Sequence, residues 1–303
     1  MTTEQRVQTS IVRPAWLPET EWPFQVRTIT VDGCRLHLID EGRGPVLLLV
    51  HAGMWSFVWR DLIVELSGEV RCVAVDFPGS GLTQAPDGYP IGLATNARLL
   101  EGVVDQLGLR EVTLVGHDLG GAIGLALAAR RPELVRGLAL INTFGWPPQP
   151  VLRAMLRLVG GPAMRSLDAA TNLVPCLTSG RFGVGRHLNR QGRRAFLGPT
   201  RERARRRTFH QLMADASRST QLLGQVEAAL RTSLADRPVL TVFGQHNDPF
   251  CFQRRWRELF PHARQVVVPH GNHFPMDDDP PGVAATLRSW WRDNPLAVVA
   301  SRS

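Results

Sequence analysis

The chain contains no lysine: all 35 of its basic side chains are arginine. It has a single tyrosine, Tyr89, and four widely separated cysteines with no Cys-x-x-Cys pair. Isolated cysteines, one of them (Cys72) inside an expected strand, read as free thiols in a reducing cytoplasm rather than as a disulfide frame. No apolar run approaches the ~20 residues a membrane-spanning helix needs. The polar first ten residues offer no apolar core for a signal peptide, so neither membrane attachment nor export is expected. No His or Cys cluster has zinc-like spacing and no Gly-x-Gly-x-x-Gly opens the first helix, so neither metal nor nucleotide cofactor is expected. With 44% hydrophobic and 20% charged residues, the composition is that of a folded globular protein and excludes a disordered, collagen-like or coiled-coil chain.

The net charge of +8 is unevenly spread. Residues 151–236 hold 15 arginines against 5 acids, whereas the remainder holds 20 against 22. The densest run, 201–207, reads Arg-Glu-Arg-Ala-Arg-Arg-Arg. An anionic partner would explain it, but so would a solvated helix face. No aromatic residues interleave with the run to stack bases, and nucleic-acid binding is not expected.

Residues 25–31 and 35–39 read as strands joined by a turn at Asp32-Gly33. Apolar runs at 45–50, 70–75, 112–115, 138–141, 239–243 and 265–268 alternate with helical spacing at 61–66, 97–107, 120–130 and 282–291. Runs apolar on both faces that alternate with helices predict a parallel sheet covered on both sides. The alternation breaks between 144 and 235. The expected organisation is an arm (1–24), an α/β core (25–143 and 236–295), a helical lid (144–235) above the strands' carboxyl ends, and a loose tail (296–303).

The most informative stretch is Leu114-Val115-Gly116-His117-Asp118-Leu119-Gly120-Gly121-Ala122. Small residues around Asp118 permit a sharp strand-to-helix turn that lifts one side chain above the sheet. The helix N-terminus favours its negative charge. Together with His51-Ala52-Gly53-Met54-Trp55, Asp76-Phe77-Pro78-Gly79-Ser80-Gly81, Asn142-Thr143-Phe144-Gly145-Trp146-Pro147 and Gly271-Asn272-His273-Phe274, this stretch resembles the α/β-hydrolase family. The resemblance spans about residues 25–291 and lies with the haloalkane dehalogenase and epoxide hydrolase branch, whose nucleophile is an aspartate.

The resemblance implies a mechanism. A carboxylate attacking a saturated carbon makes an alkyl ester, which water must then cleave with the help of a base and oxyanion donors. Asp118 is the expected nucleophile, His273 the base and Asp248, in the loop after 239–243, the acid that orients it. His270 is the rival base. His117 reads as packed or bonded locally, and Asp277, Asp278 and Asp279 as a charge cluster at the start of a helix. Backbone amides of Leu119 and Gly53 are the expected oxyanion donors, although His-Ala-Gly departs from the family's usual His-Gly.

Other departures bear on the leaving group. Family dehalogenases carry a tryptophan immediately after the nucleophile and often an asparagine near the strand-end histidine; Leu119 and Gly53 stand there instead. Trp55 or a lid residue would have to bind a halide. Epoxide hydrolases of this branch use lid tyrosines, and Tyr89 precedes the lid, leaving His187 or His210 to supply a proton. The expected activity is hydrolysis of a carbon–halogen bond in a small, largely apolar substrate. The alternatives are epoxide hydrolysis with the same triad, non-hydrolytic chemistry with Asp118 as base, or a silent ligand-binding relative. The sequence leaves the oligomeric state open.

Overall fold

The computed structural model of the chain describes residues 8–9, 12–181 and 183–294. The expected tail at 296–303 and part of the expected arm lie outside the described residues. Among the described residues nine strands form one sheet: β1 (Gln8–Thr9), β2 (Arg27–Val31), β3 (Cys34–Glu41), β4 (Val46–Val50), β5 (Arg71–Val75), β6 (Val112–His117), β7 (Val135–Ile141), β8 (Val239–Gly244) and β9 (Arg264–Val268). Their spatial order is β1-β2-β3-β5-β4-β6-β7-β8-β9. The pairs β1/β2, β2/β3 and β3/β5 are antiparallel, and every later neighbour is parallel. The β2–β3 turn uses positive φ at both Asp32 (48°) and Gly33 (75°), the backbone that suits a tight hairpin's right-handed twist.

The apolar runs are buried because both sheet faces are covered. Leu48 and Val50 of β4 pack on one side with helices α2 (Leu93–Gln106) and α3 (Asp118–Arg130). Leu47 and Leu49 point the other way, toward α1 (Arg60–Leu66). Strand side chains alternate between faces, so one run serves two cores. Among the described residues six α-helices lie between β7 and β8: α4 (Pro150–Val159), α5 (Pro162–Thr171), α6 (Leu173–Thr178), α7 (Arg190–Phe196), α8 (Arg203–Ala216) and α9 (Thr220–Arg231). The chain closes with α10 (Phe252–Leu259), α11 (Pro275–Asp278) and α12 (Pro280–Asp293). This is the α/β-hydrolase architecture that the motifs imply.

A buried carboxylate organises the loops that follow β4 and β5. Asp76 accepts the Ser56 amide at 2.7 Å and the Leu82 amide at 3.1 Å, and meets His37 Nδ1 at 2.7 Å. A Cβ on Gly81 would sit 1.8 Å from its Oδ2, so that position must be glycine. Burial opposes the charge on Asp76, yet the His37 ring and the Ser56 amide outweigh it and hold the carboxyl below its ordinary value. A lowered carboxyl contributes stability that is present above the unfolded value near ~3.9 and lost as pH falls through the folded value. Asp76→Asn is therefore expected to cost about 3–5 kcal/mol at pH 7. Urea unfolding should show the gap between variant and parent shrinking as the pH is taken below 4.

Candidate active site

The sheet's parallel strands deliver four segments to one place at their carboxyl ends, where such sheets bind ligands. His51, Ala52 and Gly53 follow β4, Asp118 follows β6, Asn247 follows β8 and His273 follows β9. They line a cavity of about 370 Å³ whose remaining wall is mostly apolar, with Leu152, Leu156 and Val159 of α4 and Phe209 and Met213 of α8 prominent in it.

Asp118 occupies the left-handed region, with φ 51°. For a residue with a Cβ that backbone is strained by roughly 1–2 kcal/mol, and the surroundings hold it there. Thr143 Oγ1 donates to the Asp118 carbonyl at 2.6 Å. A Cβ on Gly116 would come within 2.6 Å of Gly121 Cα, and one on Gly120 within 2.4 Å of both His51 Cα and the Val50 carbonyl oxygen. The glycines let α3 start against β4 and β6 and turn the Asp118 carboxylate into the cavity.

His273 Nε2 lies 3.8 Å from Asp118 Oδ2, with the two side chains about 34% and 28% exposed. Burial disfavours a charged Asp118, but His273, then His117 and the Leu119 amide, override it and hold the carboxyl below its ordinary value. Asp118 is thus ionised at neutral pH, as a nucleophile must be.

The His273 backbone is pinned from two sides. Its carbonyl accepts from His117 Nε2 at 2.6 Å and from Asn142 Nδ2 at 2.9 Å. A proton on His117 Nε2 leaves Nδ1 to accept from His51 Nδ1 at 2.9 Å, and His51 Nε2 then faces the Met54 amide at 3.4 Å. Each ring therefore has one assigned tautomer. Burial, followed by the nearby His273 charge, depresses both rings: His51 to about 3 and His117 well below the usual value. Both are neutral spacers. His117 bonds across the fold instead of locally. Asn142 also receives the Gly244 amide at 3.1 Å, which ties β7 to β8.

Asp248 does not reach His273. Its carboxylate accepts the Phe252 and Gln253 amides at 2.6 and 3.1 Å and caps α10. The neighbour of His273 Nδ1 is Asn247, whose side-chain amide lies 3.1 Å away. The histidine is therefore partnered by a neutral amide. When Asn247 donates to Nδ1, the ring carries its proton on Nε2, facing Asp118. When the amide is turned over, Oδ1 accepts from Nδ1–H and Nε2 is free to act as a base.

Trp55 does not reach the cavity either. Its indole donates to the Phe196 carbonyl at 3.0 Å, and its ring stacks on Trp22. Leu119 and Gly53 do line the cavity, and the Phe209 ring lies 3.3 Å from where a Gly53 Cβ would be. His270 is exposed at the surface, so His273 and not its rival faces Asp118. His187 bonds the Asp278 carbonyl and His210 is buried against Asp168 and the Val159 carbonyl. Neither of these, nor Tyr89, lines the cavity.

The three consecutive aspartates divide their work. Asp277 is buried beside Arg60, and burial pushes it up to about 7. Asp278 Oδ2 accepts the Asn272 amide at 2.6 Å, steadying the loop that carries His273, and Asp279 caps α12. Asn247, His117 and Asp278 are the residues that sequence reasoning missed. Only Asn247, next to the proposed acid, carried any signal.

The chain belongs to the alpha/beta hydrolase family, whose model matches residues 47–286. Within that family it is haloalkane dehalogenase-like. Over 278 residues it is 31% identical to haloalkane dehalogenase 2 of Mycobacterium tuberculosis, spanning 88% of this chain and 94% of that protein. It is also 31% identical over 278 residues to a cis-3-alkyl-4-alkyloxetan-2-one decarboxylase of Shewanella oneidensis, spanning 86% of each. A crystal structure of an ancestral haloalkane dehalogenase superposes with a TM-score of 0.74 at 25% identity, covering 88% of this chain and 99% of that one. A loop variant of the Bradyrhizobium elkanii haloalkane dehalogenase superposes with a TM-score of 0.77 at 24% identity, covering 89% and 97%.

Gly120→Ala tests the turn. The new Cβ would collide with backbone atoms of His51 and Val50, so α3 must shift and carry Asp118 with it. We expect at least about a hundredfold loss of activity, following the sensitivity of positioned groups to ångström displacements. Thermal melting should fall by several degrees; an unchanged rate would show that Asp118 needs no such fixed perch.

Proposed function

We propose that the chain is a hydrolase that opens a carbon–halogen bond by attack of Asp118 on saturated carbon. The observation that supports this best is an ionised carboxylate on a strained turn, 3.8 Å from an imidazole, at the base of an apolar cavity. The Asp118 oxygen forms a bond to carbon as the carbon–halogen bond breaks and the halide departs with the electron pair. Water then attacks the carbonyl carbon of the alkyl–Asp118 ester, giving its proton to His273 Nε2. The oxyanion is received by the backbone amides of Leu119 and Gly53. Collapse returns the Asp118 carboxylate and releases an alcohol, with one proton lost to solvent. Helices α4 to α9 act as the lid that keeps bulk water out.

No tryptophan, tyrosine, arginine or lysine side chain lines the cavity among the described residues. A halide leaving there lacks an indole, phenol or cationic donor, and the Asn142 and Asn247 amides and the Thr178 hydroxyl that do line the cavity are bonded to protein groups. Each missing donor would be worth roughly 3 kcal/mol by analogy with oxyanion donors. Good leaving groups suffer least from that loss. Bromo- and iodoalkanes are therefore the expected substrates, turned over at least about tenfold faster than chloroalkanes in a halide-release assay.

The same two features favour a second reading, opening of a strained oxetan-2-one. There the leaving carboxylate stays tethered to the substrate. Its carbon–carbon bond then breaks to give carbon dioxide and an alkene while the Asp118 ester bond releases. This route needs neither a halide cradle nor a strong base for water, and it suits a histidine partnered by Asn247.

Intact-mass analysis of His273→Phe exposed to bromohexane separates the two. The first reading expects an alkyl adduct on Asp118 in the variant and incorporation of heavy oxygen from labelled water into Asp118 in the parent. Absence of both, with alkene and carbon dioxide formed from a dialkyl oxetan-2-one, would favour the second. Asn247→Asp gives the imidazolium a counter-charge and is expected to speed loss of the alkyl adduct at least about tenfold, read by single-turnover mass spectrometry.

A further inference from the structure

Five of the eight large apolar side chains exposed among the described residues fall between 151 and 177: Val151, Met155, Leu158, Leu167 and Leu177. On α4, Val151, Met155 and Leu158 recur at i, i+4 and i+7 and so form one outward stripe. The helix buries a neighbouring side, about a third of a turn away, through Leu152 and Leu156. Exposed apolar surface concentrated in this way marks an interaction site, whereas single scattered residues do not.

The stripe is continuous with the cavity. Met155 is 44% exposed and also lines the cavity, and Thr178, adjacent in sequence to Leu177, lines it as well. The surrounding charge is one-sided. Residues 144–190 contain six arginines and one acid, Asp168. That acid is wholly buried against His210, so the segment shows solvent arginine and apolar side chains but no carboxylate. Arg157 and Arg165 have no ionic partner among the described residues.

We propose that this face docks on an anionic lipid bilayer surface, with α4 lying in the headgroup boundary and the cavity mouth opening toward the acyl chains. An amphipathic helix with an outward apolar stripe and flanking arginines is held by apolar burial plus attraction to acidic headgroups. A second protein copy would not match as well, because two such faces would bring like charges together. Among the described residues no helix is long and apolar enough to cross a membrane, so the docking is peripheral. Sequence reading expected no membrane contact because it weighed only spanning segments; an exposed stripe appears only once the buried side of α4 is known. The proposal rests on the reading of the site as one for apolar substrates, which would pass from bilayer to cavity without crossing water.

The test is co-sedimentation with vesicles of equal parts phosphatidylglycerol and phosphatidylcholine, and with phosphatidylcholine alone. The parent chain is expected to pellet with the anionic vesicles and to be released by raised salt. A Val151→Glu, Leu158→Glu double variant should pellet at least about tenfold less. Both side chains are exposed, so its thermal melting should match the parent's. Asp118→Asn should lose turnover yet pellet like the parent, so turnover retained with intact pelleting sinks the proposed chemistry alone. A parent that stays in the supernatant, or that pellets equally on neutral vesicles, overturns the docking. So does a concentration-dependent self-association, abolished in the double variant, that appears without vesicle binding.

Discussion

The contact between Gly120 and the backbone at Val50 and His51 governs the whole centre of the molecule. With no side chain at 120, α3 begins in contact with the end of β4 and the chain turns through Asp118 with positive φ. That turn presents the carboxylate, sets the Leu119 amide beside it, and puts His117 where its ring can hold the His273 carbonyl. The strain at Asp118 persists because Thr143 and the adjoining glycines leave the backbone no easier path.

Around that turn the polar groups differ sharply in what they are free to do. His51 and His117 are buried, neutral and committed to a single chain of hydrogen bonds from the Met54 amide to the His273 carbonyl. Asn142 and Asp278 serve the same loop from the other side. The His273 side chain alone in this group is both accessible and close to Asp118. Buried, hydrogen-bonded surroundings with one accessible imidazole are what the proposed two-step displacement asks of a site.

Much of this was legible in the sequence. Strands buried on both faces appear as unbroken apolar runs, and the glycines around Asp118 are a direct record of a steric need. The Gly-Asn-His-Phe stretch likewise located His273. What the sequence did not disclose was orientation within loops. Asp248 and Asn247 are adjacent, and which one meets His273 depends on where α10 starts and which side chain its first amides claim. Asp248 accepts them both, leaving the amide for the ring. Trp55 failed for a similar reason: its indole had a carbonyl partner 141 residues away that no local pattern reveals. The link from His117 to His273 is equally long-range.

The absence of a carboxylate beside His273 has an electrical consequence. On the proposed route the cavity loses its single anion when Asp118 is esterified, because Asn247 contributes no charge to replace it. The chamber is then a neutral, oily container, and a water molecule entering it gives up bulk hydrogen bonds for few in return. On that route the entry of water would limit the lifetime of the bound ester, and the helices of the proposed lid would time the reaction.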